Sequence, residues 1–329
     1  MATLNALYNE ATWSTENWFS KKVVDNIFTS NPMAMRLRQN ARTLNGGENL
    51  NMSMIFDKGD GEWFSEWDTY SATHKEQLGA GQLDWKLYTV PVVLSHLQLL
   101  KNSASEERRF DLAAQKNIVA AKTASDDLGT AIFSLDYTAT KQINSLDHAV
   151  NDGTGSGLET GFSATYAGIS RAAAPGSTVW VSTVDDANTN LSLPVLQSLW
   201  GNAQEGDERP NLNVTTQANF NRYYDLLTPI QRLGSDEMGK AGFLSLLFNG
   251  APVVVDSHVN SVAGGSSADY WYMFNMNHIE LVAHRMAFFN FERAVMPVNQ
   301  WVHIGRYYFV GNVLCHAPRY QAKLTAITA

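Results

Sequence analysis

The sequence predicts an α+β fold, with strands and helices gathered in separate runs. Three observations carry this expectation. Apolar residues alternate in residues 48–56 and 81–95, as half-buried strands require. After residue 103 apolar residues recur every three, four or seven positions, as on a helix. The last thirty residues read as long strands again.

Taken in order, the first forty-odd residues mix polar and scattered apolar positions, enough for short helical turns at best. Trp13, Trp18, Phe19, Val24 and Ile27 need something to cover them, so this segment reads as an arm seeking a surface. In ENLNMSMIF (48–56), Leu50, Met52, Met54 and Phe56 alternate. In GQLDWKLYTVPVVLS (81–95), Leu83, Trp85 and Leu87 face one side, then Tyr88, Val90, Val92 and Leu94 the other. Pro91 removes a ladder donor and points to an edge or a bulge. The intervening DKGDGEWFSEWDTYSATHKEQLGA is far longer than a hairpin loop. A two-stranded projection of this kind is marginal alone and makes sense if a neighbouring molecule supports it. Its aromatic run, Trp63, Phe64, Trp67 and Tyr70, either packs locally or offers an apolar patch to a neighbouring subunit.

From residue 103, a Ser103–Glu106 capping box introduces a stripe of Phe110, Ala114, Ile118, Ala121, Leu128, Ile132 and Leu135. This predicts a spine helix of about 35 residues, roughly 50 Å long. Residues 151–180, rich in Gly, Ser, Thr and Ala, read as a long loop. A compact α/β stretch follows. Ser192 and Pro194 start a helix, 211–216 form a strand, and Thr216 caps a second helix. FLSLLFNGAPVVVD reads as two strands joined at Asn249-Gly250, a preferred type I′ pair. YWYMFNMNHIELVAH continues the β pattern, and the C-terminal strands are expected to break near Gly311 and Pro318.

Composition narrows the function classes. With 24 basic and 32 acidic residues the net charge is −8, and only Lys21-Lys22 and Arg108-Arg109 form basic pairs. A sequence-reading nucleic-acid binder needs a basic stripe, so that role is excluded. The single Cys315 rules out an internal disulfide and a cysteine-based zinc cage. The N-terminus lacks a signal-peptide pattern, and VPVVLSHLQLL is too short and polar to span a bilayer. The expectation is a soluble protein built in a reducing compartment, with no membrane partner.

No catalytic, cofactor-binding or metal-binding residue is assigned, and no cofactor is expected. Asp256 and His258 follow Val253–Val255 and could reach one ion. They lack a third ligand or a nucleophile, so they read as a polar strand end rather than a metal-dependent hydrolase centre. DKGDGEWFSEWD fails as a calcium loop, having Glu62 at position six and Asp68 at position twelve. GTGSGLETG lacks both phosphate-loop spacings, and no GxSxG occurs.

The order of arm, two-stranded projection, spine helix, α/β insert and terminal strands resembles tailed-phage major capsid proteins of the Hong Kong 97-type fold. The phrases that carry the likeness are TYAGISRAAAPGSTVW (165–180), NFNRYYDLLTPIQRL (219–233), FLSLLFNGAPVVVDSHV (243–259) and NVLCHAPRYQAKLTAI (312–327). The resemblance implies an N-terminal arm (1–45), an extended loop (46–95), a peripheral domain (96–179 and 291–329) and an axial domain (180–290). It implies a subunit that self-assembles into pentamers and hexamers of an icosahedral virion shell in the host bacterial cytoplasm. That shell encloses double-stranded DNA without sequence-specific binding. The implied partners are further copies, a portal protein and decoration proteins. Because the arm begins near residue 1, a separate scaffolding protein, or none, is expected rather than an N-terminal scaffolding region. The candidate inter-subunit contacts are Trp13, Trp18, Phe19, Trp63, Phe64, Trp67 and Tyr70. An encapsulin-like compartment shell is the alternative within the same fold.

Overall fold

The computed structural model describes residues 31–69, 74–102, 111–136, 140–153, 164–172, 179–185, 190–227, 245–259 and 269–327. Trp13, Trp18, Phe19, Tyr70 and the Ser103–Glu106 cap lie outside the described residues.

A five-stranded sheet is organised by one long strand, β14 (Val302–Cys315). Along one side β14 pairs antiparallel with β4 (Lys86–Ser95). Along the other it pairs with β13 (Asn290–Val295) and then β12 (Ile279–His284), and β12 carries β1 (Arg42–Leu44) in parallel. Pro91 sits on β4, whose second edge is unpaired among the described residues, so its missing donor costs no ladder bond. The break expected at Gly311 does not occur. A Cβ there would run into the Val282 carbonyl and the Phe309 ring, so glycine serves close approach inside the sheet. The break expected near Pro318 does occur, as a single 3₁₀ turn, Pro318–Tyr320.

The second sheet has six strands, in the order β7 (Thr183–Asp185), β15 (Ala322–Ile327), β11 (Asp269–Phe274), β8 (Leu212–Thr215), β10 (Ala251–Val255) and β9 (Ser245–Phe248). One face carries Val253, Trp271, Met273 and Leu324 and is covered by helices α5 (Leu193–Ala203) and α6 (Gln217–Leu226). The other face, with Val214, Val254, Tyr270, Tyr272 and Phe274, joins the core that also fills the five-stranded sheet. Burial on both faces explains why all six residues of β11 are buried and why β10 reads as an unbroken apolar run. The local signals in this region operate as expected: the Thr216 side chain accepts from the Asn219 N–H, and Asn249 and Gly250 take φ of 48° and 83°.

Four features differ from expectation. Residues 81–95 are two strands, not one: β3 (Leu78–Leu83) pairs with β2 (Leu50–Ile55), and β4 leaves after Trp85 for the other sheet. The spine helix α3 is shorter than expected, Leu112–Ile132, with Asp111 accepting from the Ala114 N–H as its cap. Its buried stripe is Leu112, Ala120, Ala124, Leu128, Ala131 and Ile132, whereas Ala114, Ile118 and Ala121 are exposed. Small residues at 120 and 124 let Val90 and Val92 of β4 pack against the helix, which a reading weighted by side-chain size misses. Within the glycine-rich 151–180 stretch lies a hairpin, β5 (Thr165–Tyr166) and β6 (Ile169–Ser170), turning through Ala167 and Gly168 at positive φ. Finally, sheet membership does not divide at residue 290: β12 lies in the five-stranded sheet and β15 in the six-stranded one.

A buried charge pair ties a short helix to the six-stranded sheet. The helix, α4 (Leu146–Ala149), projects Asp147 into the shared core. Its Oδ1 accepts from Lys323 Nζ at 3.2 Å and from Tyr272 Oη at 2.7 Å, and both charged side chains are fully buried. Next to it the buried Arg171 guanidinium donates to the carbonyls of His148 (2.9 Å), Ala149 (2.7 Å) and Trp180 (3.2 Å). Removing one member of such a pair strands the other in the core, whereas removing both together costs far less. Lys323→Met should therefore lower unfolding stability by about 3–5 kcal/mol, and adding Asp147→Leu should restore much of it. Denaturant unfolding of the two variants measures this; equal losses in both would show that the pair is not coupled.

Candidate assembly surfaces

Two places gather the residues singled out from sequence. The first is the β2–β3 hairpin and the long loop between its strands. Its base is tied to the body: Gln82 N–H donates to the Ala167 carbonyl at 2.8 Å and Trp85 Nε1 to the Gly47 carbonyl at 2.9 Å. A Cβ on Gly81 would press on Ala167 at 3.0 Å, so the β5–β6 turn fits this strand only with glycine opposite. Further out, Lys75 Nζ lies 3.0 Å from Asp57 Oδ2 and 3.1 Å from Asp60 Oδ1. The hydrogen bond to Lys75 holds Asp57 below its ordinary carboxylate range. Two of the acids that imitate a calcium loop, Asp57 and Asp60, therefore converge on an ammonium group and pin the two limbs of the loop together.

Beyond this pin, Trp63 and Trp67 are exposed to 104% and 90% of their reference areas, and Phe64 to 69%. Ile55 and Leu78, at the outer end of the hairpin, are also exposed. Trp63 and Trp67 thus stand almost wholly in solvent. A loop closed by ion pairs carries both indoles into solvent.

The second place is Asp256 and His258, and here the expectation of a mere polar strand end is corrected. Asp256 is buried, and its carboxylate works in three directions. Oδ1 accepts from the His258 N–H at 2.9 Å and faces His258 Nδ1 at 3.0 Å, while Oδ2 accepts from the Met33 N–H at 3.2 Å. The other imidazole nitrogen, Nε2, lies 2.9 Å from Asp126 Oδ1 on α3. Met33 belongs to helix α1 (Pro32–Gln39), whose cap Asn31 donates to the Ser125 carbonyl at 3.0 Å. Gly129 leaves room for this: a Cβ there would collide with the Asn31 amide and approach His258. The imidazole thus ties the end of strand β10 to helix α3, and the Asp256 carboxylate adds the root of the N-terminal segment. Residues 31, 126 and 256 are too far apart in sequence for spacing rules to connect them.

The bond to Asp256, and next that to Asp126, raise the His258 pKa against the opposing effect of burial. A raised folded-state pKa means that the imidazolium contributes its full stabilisation below the unfolded value of about 6.5, and that this is lost as pH rises through the folded value. His258→Gln should therefore cost about 1.5–3 kcal/mol near pH 6 and clearly less near pH 9, read from unfolding curves at both values. A deficit independent of pH would mean that the ring is held neutral.

No protein-family model matches the chain, and no curated protein matches it in sequence. Solved structures do match in fold. The chain is similar to a subunit of the cyanophage A-1(L) capsid, with a TM-score of 0.69 at 12% identity, covering 95% of this chain and 97% of that one. It is also similar to the capsid of the native GTA particle (TM-score 0.64, 11% identity, 99% and 100% covered). A third match is the SrpI encapsulin of Synechococcus elongatus PCC 7942 (TM-score 0.56, 9% identity, 98% and 96% covered). These matches run along the whole chain, so its α+β architecture is that of capsid shell subunits, the Hong Kong 97-type fold.

Proposed function

We propose that this chain is a major capsid protein, which assembles into pentamers and hexamers of an icosahedral phage head enclosing double-stranded DNA. The observation that carries the reading is the whole-chain likeness to the cyanophage capsid subunit, with nearly all of both chains covered. The exposed Trp63, Phe64 and Trp67 support it, because they form a projecting patch that needs a partner surface. In this reading the six-stranded sheet with α5 and α6 forms the axial part. The five-stranded sheet with α3 forms the peripheral part, and the β2–β3 projection is the extended loop. Rings of this kind use heterologous contacts, one surface meeting a different surface on the next copy.

The net charge of −8 suits a container that confines DNA without gripping its phosphates. The role is structural rather than catalytic: both oxygens of Asp256 and both ring nitrogens of His258 are engaged in holding elements together. A portal protein, a scaffolding protein and decoration proteins are the partners this role implies, with the virion as the final location and the host cytoplasm as the place of assembly. The encapsulin likeness supports a second reading, a compartment shell with protein contents.

Electron microscopy of the purified protein, alone and co-expressed with its phage neighbours, should show shells, rings or tubes. A monomer under every assembly condition overturns the reading, and protein rather than DNA inside the particle favours the compartment. Replacing Trp63 and Trp67 with Ser should leave the subunit's unfolding curve unchanged. If each anchors an inter-subunit contact at about 2 kcal/mol, assembly affinity should fall by roughly thirty-fold for each residue replaced. Undiminished assembly would remove these residues from the contact.

A further inference from the structure

The β2–β3 projection carries different chemistry at its two ends. At the outer end Glu62, Glu66 and Asp68 flank Trp63 and Trp67, and all five are exposed. Residues 57–68 hold five acids against Lys58 alone. Lys75 takes up Asp57 and Asp60, so the excess negative charge lies with the other three, beside the indoles. At its root the projection adjoins β1, β12 and α1. Trp85 packs edge-on against His284 with ring centroids 6.1 Å apart, and the Arg285 N–H donates to the Leu44 carbonyl at 2.8 Å. Arg38, Arg42 and Arg285 are exposed here, as are Met35, one helical turn from Arg38, and Met286. Arg38 lies over the Phe289 ring, 5.0 Å from its centroid, in the turn that also holds Met286. The Glu280 carboxylate, 3.8 Å from Arg42, is already held by His316 at 2.8 Å.

We propose that the acidic, aromatic tip of one copy seats on the Arg38–Arg42–Arg285 surface at the root of the next copy. This rests on the shell reading above and names the surface that receives the loop. The two surfaces have opposite charge, which steers encounter and fixes register. Guanidinium groups and methionine thioethers both pack well on aromatic faces, so the root suits the indoles as well as the acids. The six-residue strands of the hairpin, about 20 Å long, hold the loop away from its own root, so the match is made between copies. A tip meeting a root is a heterologous contact, which repeats from one copy to the next as a ring requires. Exposed apolar residues also occur on the short helix α2 (His96–Lys101), at Leu97 and Leu100. That helix offers the carboxylates one cation, Lys101, against three at the root.

Charge reversal in the full-length protein tests this, read as the concentration at which particles form. Glu62→Lys with Glu66→Lys, and separately Arg38→Glu with Arg285→Glu, should each raise that concentration roughly a hundred-fold, because like charges then face each other. All four replacements in one chain should restore it to within about ten-fold of the unaltered protein. Reversed chains that assemble undiminished, or four replacements whose losses simply add, overturn the contact and leave the shell reading in place. An unaltered protein that never assembles overturns both. If the arginine replacements lower only the DNA content of the particles, the root is a phosphate contact and the proposal fails. Should a reversed chain not fold, Glu66→Cys with Met286→Cys decides. Oxidation should then link copies covalently, with the buried Cys315 no competitor, and an absence of linked copies overturns the proposal.

Discussion

The requirement that a six-stranded sheet be buried on both faces governs most of this structure. One face is covered locally, by α5 and α6, which are close to it in sequence. The other can be covered only by elements drawn from far along the chain: α3, α4, and the strands around β14. Asp147 and Lys323 sit at that junction, fully buried and facing Tyr272. A buried ion pair contributes little net stability, but it tolerates only one arrangement of its surroundings. It therefore fixes how α4 and the body around it sit on the sheet, which apolar packing alone would specify less sharply.

The same logic applies at His258. Its ring lies where β10, α3 and α1 meet, and each nitrogen has its own carboxylate. The two polar junctions bracket α3 and α4, and with Arg171 on three backbone carbonyls they account for the charged groups lodged deepest in the core. Apolar packing sets how much is buried; these polar contacts set the angles.

Much of the fold was legible from local chemistry. Thr216, Asn249-Gly250 and the alternation from Tyr88 to Leu94 all do what their residue types predict. The misreadings share one cause. Where burial depends on a distant partner, residue type misleads: Ala120 and Ala124 face inward because β4 comes close, while the bulkier Ile118 points outward. Gly311 looked like a strand break because its reason, the Val282 carbonyl opposite, lies 29 residues away. Trp63 and Trp67 could be recognised as a patch but not as exposed, since nothing in their spacing reveals the Asp57–Lys75 pin. Asp256 and His258 were visible as a pair, while Met33 and Asp126 were not visible as their partners.

The continuity of β14 has a mechanical side. Because Val302–Cys315 runs unbroken against β4, tension along these strands strains many backbone hydrogen bonds simultaneously instead of opening them one by one. A chain broken at Gly311 would yield at that point. As built, the sheet should deform least along its strands and more readily across them. A shell made from such subunits would take its stiffness from the direction in which those strands lie.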